Sequence, residues 1–321
     1  MGRQAGKISK LHPYFVVFLG LIFLLGLVSC GGKSQSSLAV IRQPASLLYP
    51  LHYQVNWQQN VAYGPLPQEK LDICQPEGAT TPRPGVILIH GGGWMYGDKK
   101  SNTTLCKNLA ALGFVAINVN YRLATGKLQP RLIWPAQLVD VQLALRWMRA
   151  YASQLNLDSS RICSDGDSAG GQLAVFLGVL ATIHPGDEAG LYANESPQVS
   201  CVVDNFGPVD LADIQESAPL RVYFPVFGRA TQQSAPAIYR DASPLFDVSP
   251  QSAPMLIVQG TQDTTVLPIQ SQQLQQALQR NHVPVQYISY NGGHSFLNMR
   301  QEQIATIFAQ EAAYLVAQEH P

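Results

Sequence analysis

The stretch Gly166-Asp167-Ser168-Ala169-Gly170 lies between a short strand-like run, residues 161–164, and an apolar helical run from Gln172 to about Thr182. A serine between two glycines at a strand-to-helix turn is the pattern of a nucleophile elbow, a sharp turn that exposes the serine hydroxyl. The glycines fit such a turn because a Cβ atom at either position would crowd the neighbouring strand and helix. The pattern alone is weak, since it arises by chance in roughly one chain in ten of this length. Other residues must decide whether Ser168 is a nucleophile or belongs to a glycine-rich helix start.

The wider chain alternates between strand-like and helical stretches. Strands that are apolar throughout are typical of a mainly parallel sheet with helices on both faces, and such runs occur at residues 86–89, 114–119, 162–163, 199–203, 255–258 and 285–290. The clearest helix runs from Pro135 to about Leu155, with apolar residues three and four positions apart on one face. Residues 70–74 alternate instead, which favours an antiparallel strand at the sheet edge. We therefore predict an α/β fold.

Residues 47–321 have the composition of one globular catalytic domain, with abundant apolar residues, sparse charges, no repeat and no long linker. A domain of this length can build one large core. The whole chain has 21 basic and 21 acidic residues. That balance argues against a nucleic-acid partner, which would require a basic face.

A second glycine-rich stretch, His90-Gly91-Gly92-Gly93-Trp94, directly follows the strand-like run at residues 86–89. Consecutive glycines let backbone N–H groups approach an oxygen that becomes negative in an acyl-transfer transition state. Its position after a strand, upstream of the G-x-S-x-G stretch, favours an oxyanion-hole loop over an ordinary turn. We interpret His90 as a hydrogen-bonding support for this loop rather than as a base.

A serine hydroxyl is a poor nucleophile without a base, so a histidine and an orienting acid are expected further along the chain. Asp263 and His294 each come just after a strand-like run. Sites in α/β sheets lie at the carboxyl ends of the strands, which favours these two residues. Asp210 and Asp213 remain as alternative orienting acids, although we expect a surface or cap role for them.

Together, the HGGGW (90–94), GDSAG (166–170), GTQD (260–263) and GGHSF (292–296) motifs resemble those of the α/β-hydrolase superfamily. The resemblance is strongest to BD-FAE-like and hormone-sensitive-lipase-like carboxylesterases, and it covers about residues 50–315. Further stretches similar to BD-FAE sequences are residues 61–64, 70–72, 96–99, 121–122 and 242–244. The resemblance implies an α/β-hydrolase fold with the following site residues: Ser168 as nucleophile, Asp263 and His294 as its partners, and the N–H groups of Gly92, Gly93 and Ala169 as the oxyanion hole.

A large N-terminal lid is not expected, because only a short segment precedes the first strand-like run. Residues 208–247 are the better candidate for a small cap. Their aromatic side chains either line a substrate pocket or pack in the core; they are Tyr223, Phe224, Phe227 and Tyr239.

Residues 1–29 have the features of a secretory signal peptide. Basic residues precede an uncharged run from Tyr14 to Val28, which is short for the roughly 20 residues that span a bilayer. The run ends at Leu27-Val28-Ser29-Cys30, which resembles the lipobox of bacterial lipoproteins and implies acylation of Cys30. Residues 30–46 would then be a flexible tether. These features predict a lipid anchor in the bacterial cell envelope, at the outer membrane if the host is Gram-negative; an ordinary signal peptide or a transmembrane anchor are the alternatives.

Four further cysteines follow Cys30, at positions 74, 106, 163 and 201. An even number permits two disulfides in an oxidising compartment, but the sequence does not fix their connectivity. Because Cys163 and Cys201 lie in apolar strands, we expect buried free thiols. The sequence has no Cys/His spacing typical of a zinc site.

These features predict a membrane-tethered serine carboxylesterase that acts on a small ester through an acyl-enzyme intermediate and needs no metal or organic cofactor. Short-acyl, aryl, acetyl and feruloyl esters all fit this prediction. Two alternatives stay open: an amide hydrolase similar to arylformamidases or exopeptidases, and a non-catalytic binding lipoprotein on a hydrolase scaffold.

Overall fold

The computed structural model describes residues 53–124, 134–185, 190–213, 226–228, 230–296 and 299–319. The predicted signal peptide, the tether with Cys30, and the side chains of Tyr223 and Phe224 lie outside these residues. Within the described ranges, eight strands form one sheet in the order β1-β2-β4-β3-β5-β6-β7-β8. The strands are β1 (Val55–Ala62), β2 (Lys70–Pro76), β3 (Arg83–Ile89), β4 (Val115–Val119), β5 (Leu157–Asp167), β6 (Cys201–Asn205), β7 (Met255–Gly260) and β8 (Val285–Tyr290).

The sheet is mainly parallel, as predicted. All neighbours from β4 to β8 are parallel, whereas β2 is antiparallel to both β1 and β4. The prediction that residues 70–74 form an edge strand is wrong, because β1 pairs with β2 on its outer side. The alternating pattern of β2 misleads because its polar residue Asp72 is buried, held by an ion pair of 2.6 Å with the equally buried Lys99.

Helices cover both faces of the sheet. They are α1 (Thr103–Ala111), α2 (Ala136–Ala150), α3 (Ala152–Leu155), α4 (Ala169–Val179), α5 (Pro236–Asp241), α6 (Pro268–Arg280) and α7 (Gln301–Glu319). Side chains of α1 and α7 share one core cluster with Val86 and Leu88, whereas α2, α4 and α6 share the other with Ile87 and Ile89. Successive residues of β3 thus point to opposite faces, and both faces are apolar because both are covered.

Three element boundaries differ from the sequence-based prediction. The predicted helix from Pro135 to Leu155 is divided into α2 and α3 at Tyr151. The strand before Ser168 is longer than predicted and continues to Asp167, and α4 begins at Ala169 rather than Gln172. Ser168 is therefore the single residue between β5 and α4. Of the helices in the described ranges, none combines the length and apolar character that crossing a bilayer requires.

The four described cysteines form two disulfides, Cys74 with Cys106 and Cys163 with Cys201. The expectation that Cys163 and Cys201 are free thiols is therefore wrong. They are direct register partners on the neighbouring strands β5 and β6, with Cα atoms 4.5 Å apart. Cys74 and Cys106 connect β2 to α1. Each disulfide reduces the conformational entropy of the unfolded chain, and this effect typically stabilises a protein by about 2–4 kcal/mol.

The predicted cap region, residues 208–247, is only partly described. Within its described part, Phe227 and Tyr239 are buried in the core, and their ring centroids lie 4.4 Å apart. The Tyr239 hydroxyl donates to the carbonyl of Ala230. Of the two roles considered for these aromatic residues, core packing is the one that Phe227 and Tyr239 have.

Three buried carboxyl groups lie on β5, β6 and α7, namely Asp165, Asp204 and Glu311. Each of the two aspartates accepts one hydrogen bond, from Asn205 and Gly207 respectively. Among the described residues, neither carboxyl oxygen of Glu311 has a hydrogen-bond partner. Burial raises the pKa of Asp204 to about 7, against the effect of the Gly207 N–H, and burial raises the pKa of Glu311 well above its usual value. Below their raised pKa values, these carboxyl groups are buried in the neutral form.

Burial of these carboxyl groups contributes stability in mild acid that is lost as the pH becomes alkaline, and the lowered pKa of buried His90 opposes part of this effect. Between an unfolded pKa near 4 and a folded pKa of about 7, the unfolded state binds fewer protons than the folded state, so the free energy of unfolding falls as pH rises through this window and then levels off. We expect the free energy of unfolding from urea titrations to be larger at pH 5 than at pH 8. Asp204→Asn, which keeps an oxygen acceptor for Gly207, should reduce the difference by about 2 kcal/mol.

Asp158→Asn is the matched control for this titration. Asp158 is partly exposed, and hydrogen bonds from Ser160 and Arg161 lower the pKa of its carboxyl group. Its carboxylate is ionised in both states throughout this pH window, so the variant should keep the wild-type difference. An Asp204→Asn protein with an unchanged pH 5 to pH 8 difference would contradict the neutral buried form.

Candidate active site

Ser168 has a backbone conformation that is rare for a residue with a side chain, with φ 54° and ψ −120°. Its N–H donates to the carbonyl of Asn205 at 2.8 Å, and its carbonyl accepts from Gln172. A Cβ atom on Gly166 would collide with the carbonyl of Gly170, and one on Gly170 would collide with the carbonyl of Ile89. The steric reason inferred from the motif is therefore present, since both flanking glycines are required by backbone contacts.

The structure brings together the three side chains predicted for the triad. His294 Nε2 lies 2.8 Å from Ser168 Oγ, and His294 Nδ1 lies 2.8 Å from Asp263 Oδ2. Because an ionised carboxylate can only accept, Nδ1 carries a proton and donates to Asp263. In the neutral ring, Nε2 is then the acceptor for the Ser168 hydroxyl. The three residues follow the carboxyl ends of β5, β7 and β8. In the sheet, β7 and β8 are neighbours, and only β6 lies between β5 and β7.

Asp263 is held by its own loop. It is 2% exposed, and its Oδ1 accepts hydrogen bonds from the N–H groups of Thr265 and Val266 at 2.8 and 2.9 Å. The side chain of Gln259 donates to Oδ2 at 3.2 Å. Burial alone would raise the pKa of Asp263, but the hydrogen bonds from His294, Val266 and Thr265 keep it below its usual value. Asp263 is thus an ionised acceptor with a fixed orientation.

The alternative residues have other partners. Asp210 Oδ1 accepts the N–H groups of Ala212 and Asp213 and so closes a local turn. His90 is buried, its Nδ1 donates to the carbonyl of Gly91 at 2.7 Å, and its ring stacks on Tyr121. Burial lowers the pKa of His90, which favours the neutral ring. These contacts match the supporting role inferred for His90.

The residues predicted for the oxyanion hole border one cavity of about 290 Å³. Gly92, Gly93 and Ala169 line it together with Ser168 and His294. Gly92 has φ 116°, and a side chain there would collide with the carbonyl of Tyr96. Ala169 is the first residue of α4, so its N–H belongs to the first turn, where helix N–H groups have no intrahelical acceptor and carry partial positive charge. The three residues predicted for the oxyanion hole therefore border the same cavity as Ser168.

Three residues of the site were not identified from the sequence. The Asp167 carboxylate accepts the N–H of Gly91 at 3.1 Å and so connects the elbow to the glycine loop. The Trp94 indole donates to Gln172 Oε1 at 2.8 Å, which fastens the other end of that loop to α4. Phe206 lines the cavity, and its ring packs edge-on against His294. Asp167 and Trp94 lie inside motifs already noted, whereas only the position of Phe206 after β6 marks it in the sequence.

Three of the other stretches similar to BD-FAE sequences, residues 70–72, 96–99 and 121–122, make structural contacts in this chain. Besides the ion pair of Asp72 with Lys99, Arg122 makes an ion pair with Asp140 at 2.6 Å. The Tyr121 hydroxyl donates to the carbonyl of His90 at 2.9 Å. These contacts hold β4 and the loop that follows it against the glycine loop.

Comparison with known proteins agrees with this geometry. The sequence model of the BD-FAE family matches residues 71–278. Esterase LipC of Mycobacterium tuberculosis (strain ATCC 25618 / H37Rv) is 30% identical over 254 residues, which make up 76% of this chain and 61% of LipC. Ethyl acetate hydrolase of Pseudomonas putida is 40% identical over 93 residues, 29% of this chain and 28% of that enzyme. The matched part of the chain spans less than two thirds of the length of either relative.

The fold is shared with solved esterase structures. A truncated form of a carbohydrate esterase from gut microbiota has a TM-score of 0.67 and 27% sequence identity, and the match covers 82% of this chain and 98% of that protein. The strand order and the position of the cavity at the carboxyl ends of the strands are consistent with the family match. The chain therefore belongs to the BD-FAE family and has an α/β-hydrolase fold.

Proposed function

We propose that this protein is a serine carboxylic-ester hydrolase in which Ser168 is the nucleophile, His294 the general base and Asp263 the orienting acid. The observation that carries the proposal is the continuous line of two hydrogen bonds, each 2.8 Å long, from Ser168 Oγ through His294 to Asp263 Oδ2. This arrangement gives each group the partner that nucleophilic catalysis requires. The cavity beside Ser168 leaves room for an ester carbonyl.

The reaction follows from the positions of the protons. Ser168 Oγ attacks the ester carbonyl while its proton passes to His294 Nε2, and the imidazolium is stabilised by Asp263. His294 then gives that proton to the leaving alkoxide, which departs as an alcohol and leaves an acyl-serine. Water repeats the sequence: its proton passes to His294, its oxygen attacks the acyl carbon, and the released Ser168 takes the proton back. No metal or organic cofactor takes part in these steps.

The oxyanion of both tetrahedral intermediates would be held by the N–H groups of Gly92, Gly93 and Ala169. Such donors are effective because they are fixed before the reaction and act where water is excluded. The start of α4 adds the positive end of a helix dipole at the same point. Asp167 and Trp94 support the donors by holding the glycine loop.

We propose short-acyl or aryl esters as substrates, with acetyl and feruloyl esters as the natural candidates. A cavity of about 290 Å³ suits a small acyl group. The named activities of the relatives, ethyl acetate hydrolysis and carbohydrate esterase activity, support the same class.

We further propose that the mature protein is anchored in the bacterial cell envelope through acylated Cys30, with an outer-membrane position in a Gram-negative host. The lipobox-like end of the apolar run and the polar residues after it support this position. The two disulfides support it as well, because such bonds persist in oxidising compartments and are rare in the cytosol.

Ser168→Ala tests the nucleophile. We expect the rate of p-nitrophenyl acetate hydrolysis to fall by at least about 10³-fold with folding unchanged, because only the oxyanion donors would remain. A fluorophosphonate probe should label the wild-type protein and leave the variant unlabelled. A variant with a tenth of the wild-type rate would exclude Ser168 as nucleophile. Turnover of p-nitroacetanilide as fast as that of the ester would instead support an amide hydrolase.

Asp263→Asn tests the orienting acid. The amide oxygen can keep the N–H groups of Thr265 and Val266, so the NH₂ group would face the Nδ1–H of His294 and disfavour the productive tautomer. We expect kcat to fall by about three to four orders of magnitude. Asp210→Asn is the matched control, because the new amide oxygen can still accept from Ala212 and Asp213. Losses of similar size in both variants would contradict the assignment of Asp263.

Cys30→Ala tests the anchor without touching the catalytic domain. We expect the variant to keep esterase activity but to lose lipid modification, either as a soluble form or as an uncleaved precursor. Mass spectrometry of the wild-type N-terminus should find acylated Cys30. An unmodified terminus beyond residue 30 would indicate an ordinary secreted enzyme and remove the membrane proposal.

A further inference from the structure

Two hydrogen bonds alone do not fix the plane of the His294 ring. They act on Nδ1 and Nε2, whereas the ring is attached to the chain through Cγ and can rotate about the Cβ–Cγ bond. Such a rotation carries Nε2 out of line with the Ser168 hydroxyl, and hydrogen bonds weaken as their angle decreases. A side chain packed against the imidazole opposes this rotation.

Phe206 provides that contact. Its ring centroid lies 5.1 Å from that of His294, with 68° between the ring planes, which is the edge-to-face arrangement that aromatic rings prefer. Phe206 is 2% exposed and also lines the cavity. The carboxyl groups of Asp263 and Asp167 both interact with the imidazole of His294. The hydrogen bond from His294 helps to hold the pKa of Asp263 below its usual value against burial, whereas burial raises the pKa of Asp167.

The backbone of Phe206 is strained to place the ring there. Its φ is 47°, in the left-handed region that a bulky residue seldom adopts. The conformation is enforced from both sides, since the Phe206 N–H donates to the carbonyl of Val258 at 2.8 Å and the next N–H, of Gly207, donates to Asp204 Oδ1 at 2.9 Å. Strain of this kind persists at functional sites, where it orients a group that relaxed backbone would not.

The far side of the Phe206 ring is also supported. Phe296 packs against it with ring centroids 5.4 Å apart, and Phe296 in turn contacts Tyr290 and Phe308, each at 5.5 Å. Phe206 is therefore held between His294 and a row of rings that reaches α7. It has little freedom to yield if the imidazole turns.

We propose that Phe206 is a positioning residue for His294, which fixes the plane of the imidazole so that Nε2 stays aligned with Ser168. The inference rests on the proposed function, because alignment matters only if His294 is the general base. It predicts a loss in kcat rather than in substrate binding, and the same factor for every ester that reacts through this base.

The experiment compares Phe206→Leu, Phe206→Tyr and Phe176→Leu in the full chain. Leucine keeps apolar volume but removes the ring, whereas tyrosine keeps it. Phe176 is a matched control for lost core packing, since it is 1% exposed on α4 and its ring packs on Trp134. The measurements are kcat and KM for p-nitrophenyl acetate and p-nitrophenyl butyrate, together with the melting temperature.

We expect Phe206→Leu to lower kcat about tenfold for both esters, with KM within about twofold of wild type. Phe206→Tyr should recover most of the rate. Phe176→Leu should lower the melting temperature as much as Phe206→Leu, with kcat of the folded enzyme unchanged.

Two results would overturn the inference. A change confined to KM, or one that differs between the acetate and the butyrate, would make Phe206 a pocket wall. A loss of kcat that Phe176→Leu reproduces would make its role structural. Neither result touches the proposed function, which fails separately if Ser168→Ala remains active.

Discussion

The left-handed backbone of Ser168 is the constraint on which the site depends. A residue with a side chain adopts it at an energetic cost of roughly 1–3 kcal/mol, so the surroundings must leave no alternative. Here the Ser168 N–H is bound to Asn205, its carbonyl is bound to Gln172, and the glycines on either side allow β3 and α4 to approach within backbone contact. The strand order also makes these contacts possible, because β5 lies between β3, which ends at Ile89, and β6, which ends at Asn205. The conformation of the elbow therefore depends on its contacts with β3, β6 and α4 and not on its own five residues alone.

Strain is concentrated around the cavity. Besides Ser168, three non-glycine residues with positive φ line it: Trp94, Phe206 and Ser295. Each belongs to a different segment at the carboxyl ends of the strands, namely the glycine loop after β3, the turn after β6 and the loop that contains His294. The parallel strands and the two apolar faces of the sheet stabilise the fold and so offset the energetic cost of these strained turns. The strained residues that line the cavity thus lie in loops at the carboxyl ends of the strands, outside the regular sheet.

The sequence was informative where a pattern has one physical cause. The apolar runs predicted the parallel strands because only residues covered on both faces can be apolar throughout, and the glycine motifs predicted the elbow because the contacts leave no space for a side chain. The edge strand and the disulfides were not predictable in this way. Alternation in β2 has a second cause, the buried ion pair of Asp72 with Lys99, and the pairing of Cys163 with Cys201 depends on a register between two strands far apart in sequence. The contact of Phe206 with His294 was not predictable for the same reason, because it forms only when β6, β7 and β8 are assembled in the sheet.

The pairing of β5 with β6 also explains why a disulfide belongs at this place. Asp165 and Asp204 lie on these two strands. Both are buried, and one carboxyl oxygen of each has no hydrogen-bond partner among the described residues. Because burial raises the pKa of both groups to about 7, they destabilise the folded state at any pH where they would be ionised in water. The bond from Cys163 to Cys201 joins the same strands and lies in the apolar core, where both sulfur-bearing residues are inaccessible to solvent. Reductants reach such a bond only when the strands separate. The crosslink therefore offsets the buried carboxyl groups within the pair of strands that precedes Ser168 and α4, and the strained turn at Ser168 can persist.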